Sequence, residues 1–269
     1  MKKPNIRNKF IEVFEPIMRE KGFSRKGEVF HRIVNGKIVQ LFSYKIFAGG
    51  YEYTTQFLIH PLCLESSYTT FMDATRMSEF FAEIQEWEFS TEDDLAKMPL
   101  VLREAEQYLF PLFDSVIDYY TYWEHLNTKG LQIYDGRLYL MSLALGKYDI
   151  SQQSREAYIK RVVEVERMNR EYEERHVKEY KLDQLPDYST TFLKQKKFQE
   201  AKKRKFKIEC EEYFRIKDAM KRRDHEYIEA YVREQEQKSI ASYVKAYTSI
   251  KKYENYLITG VLPFEFIII

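Results

Sequence analysis

The sequence predicts an α+β protein in which an N-terminal helix packs on a three-stranded antiparallel meander with further helices, followed by an all-helical C-terminal region. Three observations support this fold class. The chain begins with an apolar face at helical spacing, an Asn-Gly pair joins two alternating segments, and the second half is rich in charge but poor in Gly and Pro. We place the α+β domain at residues 1–128 and the helical region, with its apolar tail, at residues 129–269.

The first element is an amphipathic helix between Asn5 and Lys21. Gly22 is a natural C-terminal stop because glycine readily adopts the backbone conformation that ends a helix. Pro16 lies inside the pattern and is expected to kink or divide the helix. The apolar face consists of Ile6, Phe10, Val13, Phe14 and Ile17.

Asn35-Gly36 is the clearest turn signal in the chain, because both central positions of a type I′ hairpin turn require φ > 0. A two-residue turn would place His31 opposite Gln40 and Ile33 opposite Ile38. The three strands of the meander are therefore predicted at Val29–Val34, Lys37–Ile46 and Tyr51–His60.

The alternation of residue types gives this meander one apolar face. A four-residue loop at 47–50 would place Tyr44 opposite Tyr53, and it would pair Lys45 with Glu52 on the other face. The apolar face is then expected to contain Val29, Ile33, Ile38, Phe42, Ile46, Phe57 and Ile59.

Helical patterns occupy most of the remaining chain. One helix is expected over Ala74–Trp87, and a longer one over Leu100–Leu126 that bends or breaks at Pro111. After Gly136 every pattern is helical, and the best loop is at Leu182–Thr191. The last ten residues, GVLPFEFIII, are apolar and β-branched, so we expect them to dock on the core or to add a strand.

The composition excludes several classes of protein. A hydrophobic fraction of 44% is enough for a core, and a formal net charge of +1 gives the chain as a whole no preference for nucleic acid or an anionic membrane. Two cysteines are too few for a disulfide framework. Because the N-terminus lacks the apolar stretch of a signal peptide and no apolar run could span a bilayer, a cytoplasmic location is expected.

The opening stretch resembles a bacterial family known only as a domain of unknown function, DUF 4304. The resemblance is carried by Glu20-Lys21-Gly22-Phe23, Arg25-Lys26-Gly27, Phe30-His31-Arg32 and the strand Ile38–Tyr44. It covers about the first third to two fifths of the chain, and family members commonly have a Gln near the position of Lys45. The family has no established activity, so the resemblance implies a domain and leaves its function open.

Polar residues that could form a catalytic or metal site are scattered through the sequence. The five histidines lack the paired spacing of a zinc site, and Asp114 and Asp118, although on one helical face, have the ordinary spacing of acids on a charged helix. The most site-like arrangement is His31 with Gln40 and Tyr44 on the sheet, for which a hydrogen-bonded structural pair is the alternative. We predict no catalytic residue, no cofactor and no metal from the sequence.

The basic run at 194–207 is the sharpest local feature, with eight cations and one acid. Its cations would attract phosphates, and Phe198 and Phe206 could stack or anchor. The alternative is structural, because ion pairs between this run and the Glu-rich helix before it could hold the two helices together. The candidate nucleic-acid contacts are Lys196, Lys197, Lys202, Lys203, Arg204 and Lys205.

An aromatic belt in the helix before residue 128 suggests an interface, since Tyr and Trp dominate interface hot spots. Its candidate interface residues are Tyr119, Tyr120, Tyr122 and Trp123, with packing inside the protein as the alternative. The favoured function is therefore non-catalytic binding of another protein, as an adaptor or neutralising partner. Nucleic-acid binding through 194–207 is the second hypothesis, and an enzyme with an unrecognised site between sheet and helices is the third.

Overall fold

The computed structural model describes residues 5–46, 52–64, 74–84, 86–89, 91–128, 135–180 and 186–259. The chain forms two compact units, one made of residues 1–132 and 233–269 and the other of residues 133–232. The first unit therefore takes in the C-terminal segment, which differs from the predicted division at residue 128. The predicted positions of the turn at 47–50 and of the apolar tail at 260–269 lie outside the described residues.

The mixed α and β character predicted from the sequence is confirmed, with an N-terminal helix, an antiparallel sheet and helices through the C-terminal region. The strands are β1 (Ser24–Lys26), β2 (Val29–Val34), β3 (Ile38–Ile46), β4 (Glu52–Pro61), β5 (Thr75–Arg76) and β6 (Trp87–Glu88). The helices are α1 (Ile6–Glu20), α2 (Met77–Phe80), α3 (Met98–Glu104), α4 (Phe110–Ser115), α5 (Tyr119–Thr128), α6 (Asp135–Ala144), α7 (Tyr148–Tyr180), α8 (Pro186–Arg222), α9 (His225–Tyr247) and α10 (Ile250–Thr259).

Helix α1 forms where the sequence predicts it and buries Ile6, Phe10, Phe14 and Met18. The side chain of Asn5 accepts a hydrogen bond from the backbone N–H of Asn8 at 3.1 Å, which caps the helix start. Pro16 does not divide the helix, which continues to Glu20. The four buried residues lie four positions apart, so they form one stripe toward the sheet.

Within the described residues, six strands form one antiparallel sheet in the order β1-β2-β3-β4-β5, with β6 also on β4. The predicted meander is its centre, but the predicted register of the first hairpin is wrong by one residue. Asn35 and Gly36 have positive φ, as the turn signal requires, yet Val34 pairs with Ile38. Lys37 stays outside the ladder, and its carbonyl accepts a hydrogen bond from the N–H of Leu62 at 2.8 Å.

This slip reverses the face of every residue of β2 relative to the prediction. Phe30 pairs with Phe42, and Arg32 pairs with Gln40. In the second hairpin the register differs from the prediction by two residues, with Ile46 paired to Tyr53, so the faces of β3 and β4 are as expected. Ile38, Phe42, Phe57 and Ile59 therefore share a face, while Val29 and Ile33 lie on the other, and the side chain of Ile46 lies outside the described residues.

Both faces of the sheet are buried. On one face, the Phe10 ring of α1 lies 5.7 Å from the Phe30 ring and 5.7 Å from the Phe42 ring, measured between centroids. The other face packs against the C-terminal half of α9. That second cluster contains Ile33, Val39, Leu41, Leu58, Leu62, Tyr243, Val244 and Tyr247.

The region between the sheet and α5 departs most from the prediction. Ala74–Trp87 is not one helix, since it supplies the short strands β5 and β6 and the single turn α2. The chain is continuously helical from Met98 to Ser115 through Pro111, with a π-helical turn at Ala105–Leu109 directly before Phe110. That turn accommodates the missing N–H of Pro111. The break falls instead at 116–118.

The second unit is helical, as predicted. Helix α6 ends at Ala144, and Gly146 follows with a φ of +69° that lets the N–H of Lys147 reach the carbonyl of Ser142 at 2.8 Å. Pro186 opens α8, so part of the predicted loop 182–191 is helical, consistent with the preference of proline for the first helical turn. The buried core contains Tyr139, Met141, Leu143, Tyr213, Ile216, Ala219, Met220, Ile228 and Val232.

Candidate functional site

His31 is buried in the sheet face that packs on α9. Its Nδ1 lies 2.8 Å from the hydroxyl oxygen of Tyr243, and its ring stacks on Tyr247 with centroids 4.5 Å apart. Burial, together with the positive charge of Lys26, lowers the pKa of His31 to about 3. The imidazole is therefore neutral at physiological pH, as expected of a histidine held inside a core.

Gln40 lies on the opposite face from His31, so the predicted polar pair of His31 and Gln40 does not form. The Nε2 of Gln40 donates to the carbonyls of Phe113 and Val116 at 2.7 and 3.0 Å. Its Oε1 accepts from the Nε of Arg32 at 2.7 Å. Gln40 thus satisfies carbonyls at the end of α4 that the helix itself leaves without donors.

Arg32 extends this network to the end of α1. Its guanidinium donates to the carbonyl of Lys21, lies 3.3 Å from Asp114 and packs over the Phe23 ring at 4.4 Å. Asp114 also pairs with the Lys21 ammonium at 3.2 Å. Because these bonds join two helix ends to the sheet, the network has a structural role.

Asp118, the other acid of the predicted pair, makes different contacts from those of Asp114. Asp118 Oδ1 accepts from the backbone N–H of Thr121 at 2.8 Å and so caps α5. Asp114 faces the Arg32 network instead. The two acids are therefore engaged by different partners.

Tyr44 is the third member of the predicted sheet site and lies on the same face as Gln40. It does not pair with Tyr53 in the ladder, where its partner is Thr55. Its ring nevertheless stacks on Tyr53 at 5.3 Å between centroids, and Tyr53 is fully buried. Burial raises the pKa of both phenols, so neither is suited to act as a base.

A buried polar cluster around Glu236 was missed by the sequence analysis. One carboxylate oxygen of Glu236 accepts from the Lys37 ammonium and from the Tyr119 hydroxyl, each at 2.7 Å. The thiol of Cys63 is buried beside Tyr119 and Glu236, and burial raises the pKa of both Cys63 and Tyr119. A protonated thiol and phenol here hold hydrogen bonds and lack the ionised form that a nucleophile needs.

The aromatic belt is divided between core and surface. Tyr119 and Trp123 are buried, which favours packing inside the protein over contact with a partner. Tyr122 is half-buried, and Tyr120 is exposed. The belt therefore serves mainly as packing.

The basic run lies on α8, where Lys197, Lys202, Lys203, Arg204 and Lys205 are exposed. The side chain of Lys196 lies outside the described residues. In the part of the run that the structure describes, ion pairs stay within α8, with Lys205 to Glu209 at 4.0 Å and Lys207 to Glu211 at 3.9 Å.

The structure provides little support for the predicted ion pairs between the glutamates of α7 and the basic run. Glu164 and Glu171 of α7 pair with Arg167 of the same helix, at 3.3 and 3.2 Å. Ion pairs between the described residues of the two helices occur near the start of α7, where Arg155 meets Glu209 and Glu156 meets Lys217. Residues 167–172 of α7 and residues 202–204 of α8 are exposed.

Exposed apolar residues accompany these charges on α7. Val165 is 45% exposed, Met168 is 57% exposed and Tyr172 is 60% exposed. Their spacing of three and then four residues places them on one face of the helix. We call Val165, Met168 and Tyr172 the α7 seam.

The described residues contain no group of three or more His, Cys, Asp and Glu side chains that could hold a metal ion. Among them, no helix combines the length and the apolar character needed to cross a membrane. No protein-family model, curated protein or solved structure matches this chain. The resemblance of the N-terminal part to DUF 4304 therefore stays a prediction.

Proposed function

We propose that this protein is a non-catalytic binding protein that engages another protein through the α7 seam. The observation that carries the proposal is the line of large apolar side chains left exposed on a charged helix. Isolated exposed apolar residues are ordinary, but a line of them at a spacing of three and four residues is the pattern of helix-to-helix contacts. The seam is therefore suited to a helix of the partner.

The energetics of the seam favour contact with another protein. Covering half-exposed Val165 and Met168 would contribute about 1 kcal/mol each from the hydrophobic effect. Glu164 and Arg167, which flank the seam, are exposed and can form polar contacts at its rim. An apolar centre with a charged rim is the usual composition of a protein interface.

The polar clusters of the first unit support a binding role over an enzymatic one. His31 and Gln40 lie on opposite sheet faces, and each makes hydrogen bonds that hold secondary-structure elements together. Glu236 is likewise bonded to Lys37 and Tyr119. These groups bind other parts of the chain and do not converge on a common point, which catalysis requires.

The experiment uses affinity capture with the full-length protein in lysate of the organism that encodes it. The double variant V165E/M168E places two charges in the seam, whereas V163E places a charge on the opposite side of the same helix, where Val163 is 54% exposed. Proteins captured by the wild type and by V163E but lost with V165E/M168E would support the proposal. Capture of the same proteins by all three forms, or of none by the wild type, would contradict it.

A further inference from the structure

The α8 helix carries a cationic surface that the α7 seam does not explain. Lys197, Arg204 and Ile208 have spacings of seven and four residues, so they lie on one side of α8, and all three are exposed. Going round the helix from Arg204, Lys205, Phe198 and Lys202 follow in one direction, and Lys203 lies about 100° away in the other. We call the residues Lys197, Phe198, Lys202, Lys203, Arg204 and Lys205 the α8 basic surface.

Among the described residues, neighbouring acids offset only a small part of the charge of this surface. Arg204 donates a weak bond to the Glu200 carbonyl at 3.5 Å, and Lys205, at the end of the surface, is paired with Glu209 at 4.0 Å, while the pair of Lys207 with Glu211 lies beyond the surface. Pairs at 3.9–4.0 Å that involve exposed lysines are worth little. The Glu164 and Glu171 carboxylates of α7 pair with Arg167, and the exposed Lys202, Lys203 and Arg204 can be reached by an external anion.

An exposed aromatic ring lies among these cations. Phe198 is 59% exposed, and the Lys202 ammonium lies 4.7 Å from its ring centroid. An exposed ring that is flanked by lysines offers a stacking platform beside phosphate-binding groups, the combination used to bind unpaired bases. A membrane surface would require a broad apolar face as well, which the charged residues around Phe198 do not provide.

We propose that the α8 basic surface binds single-stranded nucleic acid, with the lysines and Arg204 on phosphates and Phe198 stacked on a base. The rise of 1.5 Å per residue makes the segment from Lys197 to Lys207 about 15 Å long, enough to follow several consecutive phosphates. Affinity then comes mainly from counterion release, so it depends on salt and little on sequence. This inference rests on α8 alone and does not depend on the α7 seam.

The test measures binding of the full-length protein to a fluorescein-labelled 20-residue oligo(dT) by anisotropy at several salt concentrations. The variant K202E/K203E/R204E should bind at least about tenfold more weakly at low salt. The matched control K245E/K251E/K252E changes the net charge equally on exposed positions of α9 and α10 and should bind within about twofold of the wild type.

Two additional variants separate the contribution of phosphate contacts from that of base stacking. Neutral K202Q/K203Q/R204Q should reduce the slope of log affinity against log salt by about 2, since each phosphate contact on a single strand contributes about 0.7. F198A should weaken oligo(dT) binding more than binding to a 20-base-pair duplex, because a paired base cannot stack on the ring. Circular dichroism of each variant verifies that the helices are retained.

Unchanged binding by K202E/K203E/R204E, or an equal loss in K245E/K251E/K252E, would overturn the inference. Displacement of oligo(dT) by polyglutamate at equal charge concentration would also overturn it, since it would assign the surface to an acidic protein. The double variant V165E/M168E should keep oligo(dT) binding. Failure of the seam proposal and failure of this inference are therefore distinguishable.

Discussion

The Nδ1 atom of His31 lies 2.8 Å from the hydroxyl oxygen of Tyr243, joining β2 to α9 across 212 residues of sequence. The imidazole stacks on Tyr247, and Lys26 of β1 donates to the carbonyls of Ala246 and Thr248 at 2.6 and 3.3 Å. The end of α9 is thus held to the sheet by a neutral histidine and a cation. The C-terminal segment is part of the first unit for this reason.

Acid should weaken this attachment. The pKa of His31 is about 3 in the folded protein and 6.5 without its surroundings, so the unfolded chain binds a proton that the folded chain excludes as pH falls below 6.5. The free energy of unfolding should drop by about 2 kcal/mol between pH 7 and pH 5 from this group alone. Urea denaturation of wild type and H31Q at both pH values measures the difference.

The control for this prediction is H225Q, because His225 is exposed on α9. H31Q should lose most of the His31 share of the pH dependence, and its profile is compared with that of H225Q. Equal pH dependence in the wild type and H31Q would show that the buried imidazole is not the group that senses acid.

Replacing Gln40 by Leu should destabilise the first unit by about 2 kcal/mol. The carbonyls of Phe113 and Val116 would lose their donor inside the core, and Arg32 would lose an acceptor. Urea denaturation compares Q40L with Q56L. Gln56 is half-buried and lies on β4, on the face of the sheet opposite to that of Gln40. A stability loss no larger in Q40L than in Q56L would argue against the role given to the Gln40 amide.

Removing the Glu236 carboxylate should have a larger effect than removing an exposed one on the same helix. E236A would leave the buried Tyr119 hydroxyl and the Lys37 ammonium without their shared acceptor, at a cost of about 3 kcal/mol. K37A should cost less, about 1 kcal/mol, because the Lys37 side chain is 40% exposed. Thermal or urea unfolding measures each.

Glu234 provides the matched control, since it pairs with Lys238 at 2.8 Å on the exposed face of α9. E234A should change the free energy of unfolding by no more than about 0.5 kcal/mol. Similar losses for E234A and E236A would mean that the buried cluster contributes no more than a surface ion pair.

Patterns of residues close together in the sequence correctly predicted helix α1 and the turn between β2 and β3. The spacing of Phe10 and Phe14 gave the buried face of α1, and Asn35-Gly36 gave the turn with positive φ at both positions. The register failed because every residue of β2 from Phe30 to Val34 is buried. With both faces covered, alternation of apolar and polar residues cannot select one register.

Long-range contacts account for what the sequence could not predict at the candidate site. Lys37 and Glu236 are 199 positions apart, and each looks like an ordinary surface residue in its own segment. The aromatic spacing of Tyr119 and Trp123 allowed either an interface or internal packing, and only the fold shows that both rings are buried. The α7 seam was likewise hidden, because exposure of Met168 depends on which helix surfaces are covered.

Site-specific photo-crosslinking tests the binding role of the α7 seam most directly. A photoreactive amino acid in place of Met168 in the cell that encodes the protein should form a discrete crosslinked adduct with another protein. The same amino acid in place of Val163, on the opposite side of α7, should not form it. An adduct of equal yield at both positions, or none at Met168, would contradict the proposed function.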